Sequence, residues 1–116
     1  MAKKVLGIRE LDLNPGVSAE EFEQFITQVL PQLPKGSGLK QYILKADRGD
    51  RNGKYLMVTE MDSVETRDRY WPNPDQPSEE GARLDPPAEV MEQFGRFVAP
   101  SSGMGFTDYA VIAANE

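Results

Sequence analysis

The sequence predicts one α+β domain spanning residues 1–116, and three observations support this class. Segments that alternate apolar and polar residues, as strands do, occur together with segments of helical 3.6-residue periodicity. Clusters of Gly, Pro and Asn separate these segments and mark turns. The composition, with 39% hydrophobic and 28% charged residues, is typical of a single globular domain. The predicted order of elements is β-α-β-β-α-β, with the second helix interrupted.

The first strand is predicted from about Lys4 to Leu13 and ends in the turn Asn14-Pro15-Gly16. Arg9 and Glu10 lie in the middle of this strand. Because successive strand residues point to opposite faces, the two charged side chains lie on different faces, each among apolar neighbours. One of them must therefore face something other than apolar core, and this predicts a covered polar cavity against the sheet.

The first helix is predicted from Ser18 to Leu33. Ser18 followed by Glu21 forms a capping box, in which each side chain satisfies a backbone N–H group of the other residue. Pro31 and Pro34 are expected to kink and then to end the helix. Its apolar positions follow the spacing of one buried stripe, namely Phe22, Phe25, Ile26, Val29, Leu30 and Leu33.

Two strands follow at about Leu39 to Ala46 and Lys54 to Met61, and the polar segment between them ends in Asn52-Gly53. This pattern predicts a β-hairpin. Asp62-Ser63 then offers an N-cap for a second helix from Val64 to about Trp71.

The C-terminal third begins with a proline-rich segment, residues 72–87, which holds five prolines. It is predicted to be a surface loop and a candidate lid, because a structureless loop of this length is uncommon in a compact domain. Helical spacing resumes at Val90 and continues to Val98. A flexible link is expected at residues 101–105, and a last strand, covered on both faces, at residues 106–114.

The order β-α-β-β-α-β specifies a ferredoxin-like sandwich, in which four antiparallel strands carry the helices on one face. The other face is apolar or aromatic in either register, since residues such as Tyr42, Leu44 and Tyr109 alternate with further apolar residues. Such a patch is larger than soluble monomers usually expose. The sequence therefore predicts a homodimer that covers this face.

Four segments of the chain carry a resemblance to a known superfamily, namely Leu11 to Gly16, Ser18 to Phe22, Glu60 to Glu65 and Arg69 to Pro72. On these segments the chain resembles the dimeric α+β-barrel superfamily, which includes antibiotic-biosynthesis monooxygenase-like, muconolactone isomerase-like and stress-responsive barrel proteins. The resemblance implies two sheets facing each other across a dimer axis, and a pocket between the sheet and the helices of each subunit. Haem-degrading members and members with a pocket histidine are poor models, because this chain has no histidine.

The absence of cysteine and histidine excludes several chemistries for this chain on its own. Disulfides, thiolate catalysis, a Ser-His-Asp triad, histidine metal sites and proximal-histidine haem sites are all ruled out. A site made of carboxylates alone for Mg²⁺ or Ca²⁺ stays open in principle, but Asp47-Arg48-Gly49-Asp50 lacks the ligand spacing of a calcium loop. Neither a metal nor a cofactor is predicted. The net charge of −6 argues against nucleic-acid binding. With no signal pattern and no apolar run of ~20 residues, we expect a cytoplasmic protein without a membrane span.

Arg9 is the first candidate for the pocket, because the resemblance places a polar pocket residue at its position in the first strand. Its guanidinium could clamp an anionic ligand. The alternative is a structural ion pair of Arg9 with Glu60 or Glu10. Glu60 is a second candidate, whose carboxylate either points inward or lies exposed at the strand end.

Aromatic residues supply the other candidates. Tyr42, Tyr55 and Tyr109 could donate hydrogen bonds to a ligand, although tyrosine is common on half-buried strands without any such role. Trp71 could cap the pocket, or it could simply anchor the end of the second helix on the sheet. The methionines could line an adaptable apolar pocket or fill gaps in the core, and the candidates are Met57, Met61, Met91 and Met104.

Three functions from different classes remain open. The first is a homodimeric protein that binds a small apolar or aromatic ligand between sheet and helices, with the proline-rich loop closing over it. The second is a cofactor-independent monooxygenase or isomerase acting on a small aromatic or polyketide-like substrate. The third is a dimerisation or regulatory module without a ligand. A cavity above ~300 Å³ with converging polar groups favours the first two functions over the third.

Overall fold

The computed structural model describes residues 3–100 and 105–115, and over these ranges the chain is an α+β domain built on a four-stranded antiparallel sheet. The strands are β1 (Val5–Leu11), β2 (Leu39–Lys45), β3 (Tyr55–Met61) and β4 (Thr107–Ala110). The helices are α1 (Ala19–Val29), α2 (Val64–Tyr70), α3 (Glu79–Ala82) and α4 (Ala88–Phe97). The strands lie in the order β2-β3-β1-β4.

Helix α1 begins where the sequence predicts and ends earlier. The Ser18 Oγ accepts a hydrogen bond from the Glu21 backbone N–H at 3.2 Å, which is half of the predicted capping box. The helix then tightens into a 3₁₀ turn at Leu30–Gln32. Pro31 lies within this turn, and because proline has no N–H to donate, it cannot continue the α-helical ladder.

The predicted hairpin of β2 and β3 is confirmed. The Gly53 N–H donates to the Ala46 carbonyl at 2.7 Å, and the Ala46 N–H donates to the Lys54 carbonyl at 2.9 Å. Gly53 has a φ of +90°, a conformation that glycine adopts without strain. The turn chemistry thus fixes the register in which Leu39 lies opposite Met61.

The register divides the sheet into an inner face, against which the helices pack, and an outer face. Leu11 and Tyr55 of the inner face form the buried core with Phe22 of α1 and Val98, which caps α4. Residues opposite one another on paired strands share a face. The inner face therefore comprises Val5, Gly7, Arg9, Leu11, Leu39, Gln41, Ile43, Lys45, Tyr55, Met57, Thr59, Met61, Asp108 and Ala110.

The outer face carries exposed apolar and aromatic side chains. Tyr42 is 39% exposed, Leu44 is 45% exposed and Tyr109 is 55% exposed. They lie beside less exposed apolar neighbours on the same face, which are Leu6, Ile8, Leu56 and Val58. The apolar outer face predicted from the sequence is therefore present in the single chain.

The proline-rich segment is not a structureless loop, because it contains helix α3. Ser78 caps this helix, and its hydroxyl accepts from the Gly81 N–H at 3.1 Å while donating to the Arg69 carbonyl at 2.7 Å. Gly81 is buried against α2, so close that a Cβ atom at this position would lie 2.1 Å from the Tyr70 carbonyl oxygen. Only a glycine permits this approach of α3 to α2.

The first and last strands of the chain, β1 and β4, are shorter than predicted. Strand β1 ends at Leu11, after which Leu13 makes an isolated bridge to Val98. Strand β4 covers Thr107–Ala110 instead of residues 106–114, and it is largely exposed. In the single chain β4 lies at the sheet edge and pairs with β1 alone, so the predicted cover of both its faces is not provided by this chain by itself. Residues 101–104 of the expected flexible link lie outside the described residues.

Candidate functional site

A partly open cavity of about 240 Å³ lies between the inner face of the sheet and helix α2. We name it the sheet cavity. Strands β1 and β3 form its floor, β4 and the residue before it form one side, and α2 with the following prolines forms the roof. Its lining residues are Gly7, Arg9, Met57, Thr59, Met61, Arg67, Asp68, Trp71, Pro72, Pro74, Phe106 and Asp108.

Gly7 creates the space at the centre of the floor. It lies opposite Thr59 on one side and opposite Asp108 on the other. A Cβ atom at Gly7 would lie 2.9 Å from the Asp108 Oδ1, closer than carbon and oxygen normally approach. The carboxylate of Asp108 therefore extends over Gly7 into room that any other residue would fill.

Arg9 places a positive charge at one end of the floor, two residues along β1 from Gly7. Its guanidinium lies over the ring of Phe106, with 5.0 Å between the guanidinium carbon and the ring centroid. This is a cation–π contact, which holds the planar group against an aromatic wall. A guanidinium has five N–H donors, so Arg9 can hold an added anion alongside its contacts within the protein.

Arg67 places a second guanidinium in the roof, where two carboxylates hold it. Its Nε donates to Asp68 Oδ1 at 2.9 Å, and its Nη1 donates to Asp108 Oδ2 at 3.2 Å. The pKa of Arg67 is raised, first by the hydrogen bond to Asp68 and then by that to Asp108, while burial opposes the rise. The Arg67–Asp108 pair thus ties helix α2 to the edge strand across the cavity.

Trp71 closes the cavity above. It caps the C-terminus of α2, where its backbone N–H donates to the Arg67 carbonyl at 2.7 Å. Its ring lies 5.9 Å from that of Tyr70, which is buried. Pro72 and Pro74 continue the wall. These residues form the apolar part of the roof beside Arg67, and proline restricts the backbone that follows the indole.

Of the residues predicted from the sequence, Arg9 and Trp71 are brought together in the sheet cavity. Tyr55 shares the inner face but lies in the core, where its ring meets Phe22 edge-on at 5.1 Å. Its hydroxyl donates to Glu23 Oε2 at 2.5 Å. Burial and the nearby Glu23 carboxylate raise the pKa of Tyr55 to about 12, so this phenol stays protonated.

Tyr42, Glu60 and Tyr109 lie on the outer face, away from the sheet cavity. Arg9 and Glu60 are therefore on opposite faces of the sheet. Glu60 is 3.8 Å from the Lys4 ammonium and its side chain is 24% exposed. Glu10, the other suggested partner of Arg9, lies 3.5 Å from Arg51.

The predicted methionine lining is present in part. Met57 and Met61 line the sheet cavity. Met91 is 51% exposed on α4, and Met104 lies outside the described residues. Met57 lies directly opposite Arg9 and Met61 directly opposite Val5, so their sheet register places both beside the space above Gly7.

Sequence reasoning missed Arg67, Asp68, Phe106 and Asp108. Arg67 and Asp108 are 41 residues apart, and no local pattern connects a helix arginine to an edge-strand aspartate over that distance. One available signal was the alternation within β4, since Phe106 and Asp108 share a face. Pairing that face with the Arg9 face of β1 would have placed both residues at the cavity.

The cavity combines two guanidinium groups and two carboxylates with aromatic and thioether walls, which suits a small planar molecule with polar groups at its edge. Its volume of about 240 Å³ does not meet the ~300 Å³ criterion that favours ligand binding over a module without a ligand, and a ligand held here is limited to about one ring. Among the described residues, no cluster of acidic side chains is arranged to hold a metal ion, and no helix has the length and apolar character of a membrane span. No protein-family model, curated protein or solved structure matches the chain.

Proposed function

We propose that this protein binds a small aromatic anion in the sheet cavity. The observation that carries the proposal is the joint placement of the Arg9 guanidinium, the Phe106 ring and the Trp71 indole around one cavity. A carboxylate accepts two parallel hydrogen bonds from a guanidinium, which gives both affinity and orientation. The aromatic ring of the ligand then packs between the indole and the methionine side chains.

The size and the walls of the cavity support a ligand of one ring. Met57 and Met61 are polarizable and adapt to a flat ring, and Trp71 offers a stacking surface. The floor residues Gly7 and Thr59 leave the middle open. An anionic group on the ligand would accept a charge-assisted hydrogen bond from Arg9, which a purely apolar ligand cannot do.

We further propose that two copies pair through their outer faces, as in a ferredoxin-like domain that forms a dimeric α+β barrel. The strand order β2-β3-β1-β4 and the exposed Tyr42, Leu44 and Tyr109 support this arrangement. Pairing removes the apolar side chains from water, at roughly 25 cal/mol per Å² of buried apolar surface. The sheet cavity lies on the other face, so each subunit keeps its own site.

Benzoate is the simplest probe of the proposed ligand class. We expect isothermal titration calorimetry to show saturable binding with one site per chain. Trp71 is the only tryptophan, so its indole N–H gives one NMR signal that reports on the cavity roof. That signal should shift with the same affinity as the heat signal. Binding without a shift would place benzoate elsewhere and contradict the proposed site.

Arg9→Met tests the anion contact, since methionine keeps most of the side-chain volume and removes the charge. We expect the affinity for benzoate to fall by about tenfold or more, because a charge-assisted hydrogen bond is lost. The free energy of unfolding, measured in urea, should change little. Arg96→Met is the matched control, as Arg96 is 71% exposed on α4 and pairs only with Glu92 among the ion pairs described.

Two outcomes would contradict this proposal. Equal affinities of wild type and Arg9→Met for benzoate would show that Arg9 does not bind the carboxylate of the ligand. A large loss of stability in Arg9→Met, without a change in affinity, would assign Arg9 to a structural ion pair. The alternative of a monooxygenase or isomerase has its own signature, because product would appear when an aromatic substrate is incubated with protein and air.

A further inference from the structure

The carboxylate of Asp108 presents its two oxygens to different surroundings. Oδ2 accepts the hydrogen bond from Arg67 at 3.2 Å. Oδ1 extends over Gly7, where a Cβ atom would lie only 2.9 Å away. An ionised carboxylate has about four acceptor positions, and the bond to Arg67 uses one of them. Oδ1 is therefore placed to accept a hydrogen bond from a group inside the sheet cavity.

The charges at this end of the cavity favour a donor over a second anion. Arg67 is shared between Asp68 and Asp108, so two carboxylates surround one guanidinium. An added anion would meet this excess of negative charge, whereas a hydroxyl would donate to it. Thr59 lies across Gly7 from Asp108 and adds a hydroxyl group to the same part of the floor.

The spacing along β1 separates the two polar ends of the sheet cavity. Arg9 is two residues from Gly7 on the same face, and strand residues advance about 3.3 Å each, so the two rows of the floor are about 7 Å apart. The acid group and the hydroxyl of a ligand that contacts both rows therefore belong on opposite sides of its ring, the acid towards the Arg9 row and the hydroxyl towards the row of Gly7 and Asp108. The cavity volume of about 240 Å³ leaves room for such a molecule and little more.

We infer that the ligand is a hydroxylated aromatic carboxylate, with the hydroxyl opposite the acid group. This inference rests on the proposed function and specifies the ligand class. The carboxylate binds Arg9, the ring lies beneath Trp71, and the hydroxyl donates to Asp108 Oδ1. Asp108 is then the residue that determines specificity, and the bond from Arg67 keeps it in place.

A ligand series on the wild-type protein tests this inference without any substitution. The probes are 4-hydroxybenzoate, benzoate, 4-methoxybenzoate and terephthalate. Calorimetry measures the affinity of each, and the NMR signal of the Trp71 indole shows whether it binds in the sheet cavity. We expect 4-hydroxybenzoate to bind about tenfold more tightly than benzoate, because the added bond is to a charged acceptor. 4-Methoxybenzoate lacks the donor and terephthalate adds an anion, so neither should bind more tightly than benzoate.

Asp108→Asn tests the residue itself, since asparagine keeps the shape and removes the charge. The ratio of the benzoate and 4-hydroxybenzoate dissociation constants should fall to about threefold or less. Asp85→Asn, at an exposed position before α4, should keep the full ratio. If Asp108→Asn does not fold, the ligand series on the wild-type protein by itself tests whether the hydroxyl group contributes to binding.

The outcomes separate the inference from the proposal beneath it. If benzoate and 4-hydroxybenzoate bind equally well at the Trp71 site, the inference is wrong and the proposed function stands. If none of the four acids binds, the proposed function fails as well. A preference for terephthalate would also overturn the inference, because it would show that the Asp108 end accepts an anion.

Discussion

Glu23, Lys45 and Tyr55 form a hydrogen-bonded cluster that fastens helix α1 to the sheet. Glu23 Oε2 accepts from the Lys45 ammonium at 2.8 Å and from the Tyr55 hydroxyl at 2.5 Å. The hydrogen bond from Lys45 lowers the pKa of Glu23, and that from Tyr55 lowers it further. Tyr55 is 3% exposed, whereas Glu23 and Lys45 are partly in water. Among the three residues, replacement of Tyr55 should therefore reduce the free energy of unfolding most.

Tyr55→Phe is expected to reduce the free energy of unfolding by about 1 kcal/mol, because the ring stays in the core and a single hydrogen bond is lost. Urea unfolding at neutral pH measures this change. Tyr109→Phe is the matched control, since Tyr109 is 55% exposed, and it should change stability by less than about 0.5 kcal/mol. Equal effects of the two substitutions would show that the hydroxyl of Tyr55 has no special contribution.

The same cluster predicts a pH dependence with a definite sign. The pKa of Tyr55 is raised from 10.0 to about 12, so the folded state holds its proton more tightly than the unfolded state does. This contribution to stability is complete below pH 10 and is lost as the pH rises towards 12. The stability difference between wild type and Tyr55→Phe should therefore shrink over this interval. A constant difference would contradict the assignment.

Single residues also show what the sequence could and could not predict about the site. Arg9 was predictable because a charge in the middle of an apolar strand needs a special environment. Trp71 was predictable because a large aromatic side chain ended a helix. Asp108 was not, since its role depends on the absence of a side chain at Gly7, 101 positions earlier in the chain, and on the register that pairs them.

At the scale of elements, local signals predicted starts better than ends. Ser18 and Ser63 both cap helices as their sequence context predicts. The turn at Asn14 had a further role that no local signal revealed. The Asn14 side-chain amide donates to the Arg96 carbonyl at 3.0 Å and so satisfies the C-terminal end of α4. Such contacts between distant segments decide where β1 and α4 end.

Two glycine-to-alanine substitutions distinguish close packing from free helix surface. In Gly81→Ala the new methyl group would lie 2.1 Å from the Tyr70 carbonyl, so α3 must move away from α2. We expect the free energy of unfolding to fall by about 2 kcal/mol or more, and the segment around α3 to exchange its amide hydrogens faster.

Gly95→Ala is the opposite case within α4. Apart from its chain neighbours and the backbone of its own helix, no described atom lies within 4 Å of the added methyl group, and alanine favours the helix over glycine. We expect a gain of about 0.5–1 kcal/mol. A gain of stability in Gly81→Ala would contradict the close contact between α3 and α2, and a loss in Gly95→Ala would contradict the open space at Gly95. The pair can be compared in one set of urea titrations.

At the scale of the whole molecule, the sheet separates two tasks. The inner face buries the core with α1 and α4 at one end and holds the sheet cavity beneath α2 at the other. The outer face carries its apolar side chains at the surface. Both faces follow from one register, because a shift of a single residue would exchange every side chain between them. The α+β class was predictable from periodicity, whereas this division required the pairing of strands far apart in sequence.

The proposed dimer makes the last prediction, which concerns Leu44 in the outer face. Leu44 is 45% exposed in the single chain, so Leu44→Glu should leave the fold of the subunit intact. In a dimer that joins the outer faces, two copies of the new carboxylate would be brought out of water without a partner, at a cost of several kcal/mol. We therefore expect wild type to sediment as a dimer and Leu44→Glu as a monomer with unchanged circular dichroism.

Met91→Glu, which changes a 51% exposed methionine on α4, should remain dimeric. A wild-type protein that sediments as a monomer at micromolar concentrations would refute the dimer, and dissociation of both variants alike would place the interface elsewhere.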